Sequence, residues 1–258
     1  MEVGVKTWRG TFGIIKPNFR PGSTEDLIRI LPRGIGVVPL HIDHRVVRNG
    51  TQSEFERSLD AYEEQVALLA DLGVDLIHPA GSPPFVIHGY AGERALLDRW
   101  EAKYKTPIFT NGTSQVNALR TFGAKRIVGV TYFRGNINEL FGKYLSEAGF
   151  EVLTMAGMDV DFGRVETLSP SEVYRFIKGT VTQYRDVDAI YSMGPAWPTL
   201  DVIEMLENDL GVPFIDHIAA QSWEVQRRFG IRQPLQGHGR LLRELPDLPV
   251  AIRANGRA

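Results

Sequence analysis

The sequence predicts an α/β protein of two pseudo-symmetric lobes, each a parallel sheet flanked by helices, with an active-site crevice between them. Two observations carry this expectation. Short β-rich runs alternate with helical patterns, the order that yields parallel sheets with crossover helices. A glycine corner also occurs twice: Val74-Asp75-x-Ile77-x-x-x-Gly81 in "VDLIHPAGSPPF" is matched by Val187-Asp188-x-Ile190-x-x-x-Gly194 in "VDAIYSMGPAWP". The echo continues, with "PIFTN" (107–111) after the first corner and "PFIDH" (213–217) after the second.

Taken in order, the strand candidates are "TFGIIKP", "GIGVVPL", "VDLIHP", "PIFT", "RIVGVTY", "FEVLTM", "VDAIYSM" and "VPFID". Between them, Phe55, Leu59, Tyr62, Val66 and Leu69 fall on one face at alternating four- and three-residue spacing, which predicts a helix over about 52–72 that Gly73 ends. "SPSEV" (169–173) puts Ser at an N-cap, Pro at the first helical position and Glu at the third, so a helix of about 170–184 follows. Loops at the carboxyl ends of parallel strands form the ligand crevice. The loops beginning at Lys16, His41, Gly81, Thr110, Thr131, Met155, Gly194 and Asp216 are therefore expected to converge, with Gly81 facing Gly194. The repeat divides the chain into one lobe of 1–111 plus about 215–258 and a second of 112–214.

Composition narrows the chemistry. A 258-residue chain with 43% hydrophobic and 23% charged residues is long enough to bury a substantial core, and a formal charge of −2 gives no bias toward nucleic acid or an anionic membrane. No apolar run approaches a membrane span, and "MEVGVKTWRG" lacks the apolar stretch of a signal peptide, so a cytoplasmic location is expected. With no cysteine in the sequence, disulfides, thiolate metal sites and thiol nucleophiles are all excluded. The expected partners are a small carboxylate or dicarboxylate and, as an open alternative, further copies of the chain.

Four stretches carry a family likeness: "GIIKPN" with the later "LP", "HPAGSPPF", "TNGTSQVNALRTFGAKRIVGVTYFRGNINELF" and "YSMGPAWPTLDVIEMLENDLGVPFID". Together they resemble the aspartate/glutamate racemase superfamily, in particular its arylmalonate decarboxylase and maleate isomerase branch, over about residues 10–230. The resemblance implies flavodoxin-like lobes and proton chemistry beside a carboxylate without a cofactor. Family members usually carry one cysteine on each corner. The decarboxylase branch keeps only the second, and Gly81 and Gly194 fall at the matching positions here. Glycine can neither attack nor transfer a proton, so the thiol mechanisms of the family cannot operate. The cysteine-free composition and the altered "SPPF" stretch favour a natural departure over engineered replacement.

What the resemblance carries over is carboxylate binding by hydroxyls and backbone N–H groups. Ser82, Tyr132 and Asn18 stand at or beside matching positions, together with Gly81, Thr131, Gly194 and Pro195, while Thr110 and Asn111 begin a helix whose first amides favour an anion. Helix capping is an alternative role for Ser82 and for Thr110. His41, His44, His78, His88 and His217 are expected at or just beyond strand ends on the crevice side. His217, matched to Asn111 by the repeat and adjacent to Asp216, is the best placed to move a proton, with Tyr132 as a second candidate and Ser82 as the hydroxyl that steadies an enediolate-like intermediate. A structural role for each histidine stays open.

"HIDH" (41–44) raises a different chemistry, in which His41, Asp43 and His44, joined by His78, would hold a divalent metal that activates water. Three functions therefore remain. The first is a cysteine-independent decarboxylase, isomerase or other proton-transfer enzyme on a small carboxylate, with no cofactor. The second is a metal-assisted hydrolase or lyase, and the third a non-catalytic carboxylate binder.

Overall fold

A computed structural model describes residues 6–17, 22–43 and 45–249. The first half runs β1 (Gly10–Lys16), α1 (Ser23–Ile30), β2 (Ile35–His41), α2 (Gln52–Arg57), α3 (Leu59–Asp71), β3 (Leu76–Pro79), α4 (Pro83–Val86), α5 (Gly89–Tyr104) and α6 (Asn111–Thr121). The second runs β4 (Arg126–Thr131), α7 (Asn136–Glu147), β5 (Glu151–Gly157), a 3-10 turn over Phe162–Thr167, α8 (Pro170–Val181), β6 (Ala189–Met193), α9 (Ile203–Leu210), β7 (Phe214–Asp216), α10 (His217–Arg228) and α11 (Gly239–Glu244).

The strands form two parallel sheets, ordered β2-β1-β3 and β5-β4-β6-β7. Ile108 bridges in parallel to Ile77, so the first sheet acquires the counterpart of β7 and the two orders match. The repeated Val-Asp has one structural job in each lobe. Asp75 Oδ2 accepts from Thr11 N at 2.7 Å and Asp188 Oδ2 from Arg126 N at 2.8 Å, each carboxylate fastening the start of the central strand of its own sheet. These clamps sit at the amino ends, opposite the crevice.

Each lobe lends a helix to the other. α6 leaves the Ile108 segment and packs under the second sheet, where Gln115 Nε2 donates to Ser192 O (2.7 Å) and Ile215 O (3.2 Å). α10 leaves β7 and packs on α6 and α1, with Ser222 Oγ donating to Ile30 O at 2.9 Å. The sequence-based boundary near 214/215 cuts through β7, whose residues 214–216 pair with β6, and α11 packs back on α9 and β7. The C-terminal segment thus serves both lobes.

The predicted 52–72 helix is two helices. At the joint, the Ser58 hydroxyl donates to Phe55 O at 2.7 Å, a side-chain bond that competes with the helical ladder. The apolar face is kept, with Phe55, Tyr62, Val66 and Leu69 buried. α8 starts as expected: Ser169 Oγ accepts from Glu172 N at 3.3 Å, and Ser169 N donates to Glu172 Oε2 at 2.8 Å. Among the described residues no helix is long and apolar enough to cross a membrane.

Candidate active site

The two glycine corners meet. Ser82 is buried, and its Oγ donates to Met193 Sδ at 3.1 Å, joining the residue after the first corner to the residue before the second. Gly81 has φ +94° and Gly194 φ +125°, conformations in which a side chain is strained. Space differs between them. A Cβ on Gly81 would lie 2.9 Å from Tyr62 Oη and 3.0 Å from Pro17 Cγ, whereas one on Gly194 would lie 2.1 Å from Tyr132 Cε1. The Tyr132 ring, packed with Phe133, Phe162 and Trp197, occupies the volume that a side chain on the second corner would take.

Between the corners lies a small, partly open cavity. Ile14, Lys16, Pro17 and Ser23 line it from β1 and the start of α1, Ala80 and Gly81 from the first corner, and Pro195 and Ala196 from the second. Asn111, His217, Ile218 and Gln221 complete the lining. Asn111 and His217 are the first residues of α6 and α10, so the positive ends of two helices converge here. Gln221 Nε2 donates to Asn111 Oδ1 at 2.7 Å and fixes that amide.

His217 is 1% exposed, and neither ring nitrogen has a hydrogen-bond partner in the protein. Its Nδ1 lies 3.3 Å from Asp216 Oδ2, but the two residues are adjacent in the chain and the contact lacks hydrogen-bond alignment. Asp216 is turned to other work: Oδ1 caps α10 by accepting from Ile218 N (2.8 Å) and Ala219 N (3.1 Å), while Oδ2 accepts from Thr199 Oγ1 (2.6 Å). Burial alone would raise the Asp216 carboxyl, but His217 beside it, Thr199 and the Ala219 N–H outweigh burial and hold it below its ordinary value.

Because the folded pKa of Asp216 is depressed, its stabilising contribution is full above the unfolded carboxylate value of about 4 and is lost as pH falls through the folded value. Asp216→Ala is expected to cost about 2 kcal/mol at pH 7 through the lost cap and the stranded Thr199 hydroxyl. The difference from the parent should shrink only below about pH 4. Urea unfolding of the parent and the variant across pH 3–8 checks both statements; a difference that grows toward low pH would contradict them.

The structure divides the sequence-predicted residues. Gly81, Asn111, Pro195 and His217 line one cavity. Ser82, Thr110, Thr131, Tyr132 and Gly194 do not. Thr110 caps α6, accepting from Thr113 N at 3.1 Å, and donates to Glu93 Oε1 at 2.5 Å, so its alternative role as a cap is the one observed. Thr131 Oγ1 donates to Asn138 Oδ1 at 2.5 Å and accepts from Phe133 N at 3.0 Å. Asn18 lies outside the described residues. With its hydroxyl directed at Met193, Ser82→Ala is expected to change carboxylate affinity by less than about threefold. Titration calorimetry with a bound carboxylate reads this directly, and a tenfold loss would return Ser82 to the binding site.

The metal set needs correction. Asp43 is committed to Arg45, accepting from its backbone N (2.8 Å) and its Nε (2.8 Å to Oδ2). His78 is buried within β3, Nδ1 2.8 Å from Phe109 O and the ring stacked on Phe109, and burial pushes its pKa down to about 4. His41 is half-buried at the end of β2, and His44 lies outside the described residues. Among the described residues no group of three or more His, Asp or Glu side chains could hold a metal ion.

Sequence reasoning missed Lys16 and Gln221 as lining residues. Lys16 was legible only as the start of a crevice loop. A charged residue ending an otherwise apolar strand is the signal that finds it. Gln221 follows His217 by four residues as Gln115 follows Asn111, so the repeat itself marks it.

The model of the family described as arylmalonate decarboxylase matches residues 45–242. The arylmalonate decarboxylase of Bordetella bronchiseptica is 24% identical over 238 residues, covering 86% of this chain and 98% of that protein. Two solved maleate isomerases share the fold. The enzyme of Pseudomonas putida S16, in a structure with maleate, has TM-score 0.83 at 22% identity over 91% of this chain and 97% of its own. That of Nocardia farcinica, bound to Tris, has TM-score 0.79 at 19% identity over 91% and 98%. A solved arylmalonate decarboxylase has TM-score 0.75 at 21% identity over 90% and 98%. Matched by the family model over most of its length, with two parallel sheets meeting at paired corners, the chain belongs to the arylmalonate decarboxylase family.

Proposed function

We propose that the protein is an enzyme that moves a proton at the carbon next to a small carboxylate, by decarboxylation, isomerisation or α-proton exchange, without a thiol. The observation that carries this reading is His217: a buried imidazole with both nitrogens unpartnered, on the wall of the cavity between the two lobes. Imidazole ionises closest to neutral pH of the common side chains and serves as a proton carrier where a cysteine is lacking. The substrate class follows from the relatives, which are named for arylmalonate and maleate. In this reading the helix N-termini at Asn111 and His217 stabilise negative charge as it develops on the carboxylate, in a site where little water competes.

The test is deuterium wash-in. Phenylacetate, 2-phenylpropionate, maleate and phenylmalonate are incubated with the enzyme in D2O and followed by NMR for α-deuteration, isomerisation or loss of CO2. Turnover of any of them supports the reading. Binding of several in a calorimeter with no exchange, isomerisation or CO2 release would make the protein a carboxylate binder instead.

A further inference from the structure

We propose that Lys16 is the specificity-determining cation of the cavity: its ammonium holds the substrate carboxylate, so that a charged anchor joins the helix N-termini and replaces the hydroxyls on which the family resemblance would have relied. This deepens the carboxylate reading above and rests on it. Lys16 is the last residue of β1, the central strand of the first sheet, and is only 6% exposed. Among the described residues that line the cavity it is the sole Lys, Arg, Asp or Glu. Much of the remaining wall is apolar, formed by Ile14, Pro17, Ala80, Pro195, Ala196 and Ile218. An anion entering such walls loses water and needs a compensating charge, and Lys16 supplies the one that the lining contains.

The surroundings of Lys16 favour this role. Burial lowers its pKa from the ordinary lysine value, while Glu25 and Glu166 work against burial and favour the ammonium form. Both carboxylates belong to exposed residues, where water screens their effect on the ammonium. The unpartnered imidazole of His217 stands on the same cavity as the group that would move the proton. A ligand that fits has one carboxylate head for Lys16, a carbon next to it within reach of His217, and a short alkyl or aryl body against the apolar wall.

The test is calorimetry with defined probes: phenylacetate, propionate and the neutral phenylacetamide, on the parent, Lys16→Met and Lys16→Arg. The parent is expected to bind at least one of the two carboxylates and to bind the amide weakly or not at all. Lys16→Met should raise the carboxylate Kd roughly 10- to 100-fold, the range for losing a hydrogen bond to a charged group, and Lys16→Arg should recover part of it. Melting temperatures serve as the folding control. Unchanged carboxylate affinity in a folded Lys16→Met protein would overturn the proposal, as would a parent that binds neither carboxylate. Borohydride trapping of pyruvate on Lys16 would also overturn it, by showing that the amine reacts rather than holds a charge. A parent that binds phenylacetate through Lys16 but never exchanges its α-protons leaves the anchor standing and sinks the proton-transfer reading, so the two failures are distinguishable.

Discussion

Replacing His217 by glutamine is expected to lower turnover by roughly 10²- to 10⁴-fold with little change in KM, the usual contribution of a general acid–base group whose loss leaves binding intact. Glutamine is suited to this test because it keeps a polar side chain of similar size while losing the ability to shuttle a proton. The fold should tolerate it: Asp216, not His217, caps α10, and neither ring nitrogen holds a neighbour that would be stranded. Parent-like melting with a collapsed rate is the expected pair of results in the deuterium wash-in assay. Parent-like turnover would make His217 a structural residue. Tyr132 would then be the next side chain to test, although its ring is packed into the second corner and does not line the cavity.

Much of the fold was legible because strands of parallel sheets, covered on both faces, read as continuous apolar runs, and all eight predicted runs are strands or, at Ile108, a bridge. The repeated Val-Asp-x-Ile was informative because it encodes a real constraint, the carboxylate that fastens each central strand. Directions of side chains were not legible. Ser82, Thr131 and Tyr132 stand at crevice ends of strands, yet their neighbours in space turn them to Met193, Asn138 and an aromatic cluster. Spacing along one strand cannot reveal such partners, which come from the other lobe, from a following helix or from later loops of the same lobe. His78 illustrates the same limit: a strand-end histidine in sequence, it is a stacked core residue in space. His217 was placed on the cavity because the repeat matched it to Asn111, and the helices that these two residues begin pack against each other.

Placing a cysteine on the second corner is expected to damage the protein rather than create thiol chemistry. Gly194 has φ +125°, where a non-glycine residue costs about 1–3 kcal/mol, and the new Cβ would fall 2.1 Å from Tyr132 Cε1, inside any permitted contact. Tyr132 cannot move freely, since Phe133 and Trp197 pack against it with ring centroids 4.8 and 5.7 Å away. Overpacking of this kind adds about 1–3 kcal/mol. Gly194→Cys is therefore expected to lose roughly 4 kcal/mol in urea unfolding and to melt about 10 °C lower. Tyr132→Ala introduced alongside it should return the overpacking share but not the backbone share, because only the ring clash is relieved; the two substitutions should be non-additive in a double-mutant cycle. Gly81→Ala offers a milder comparison, its Cβ meeting Tyr62 Oη at 2.9 Å and Pro17 Cγ at 3.0 Å. The decisive measurement is Gly194→Cys itself. If it keeps the parent stability and gains turnover that iodoacetamide abolishes, the ring yields readily and the corner is a thiol site awaiting its sulfur. If it unfolds early and gains nothing, the tyrosine has taken the place of the side chain, and glycine is the residue that the filled corner requires.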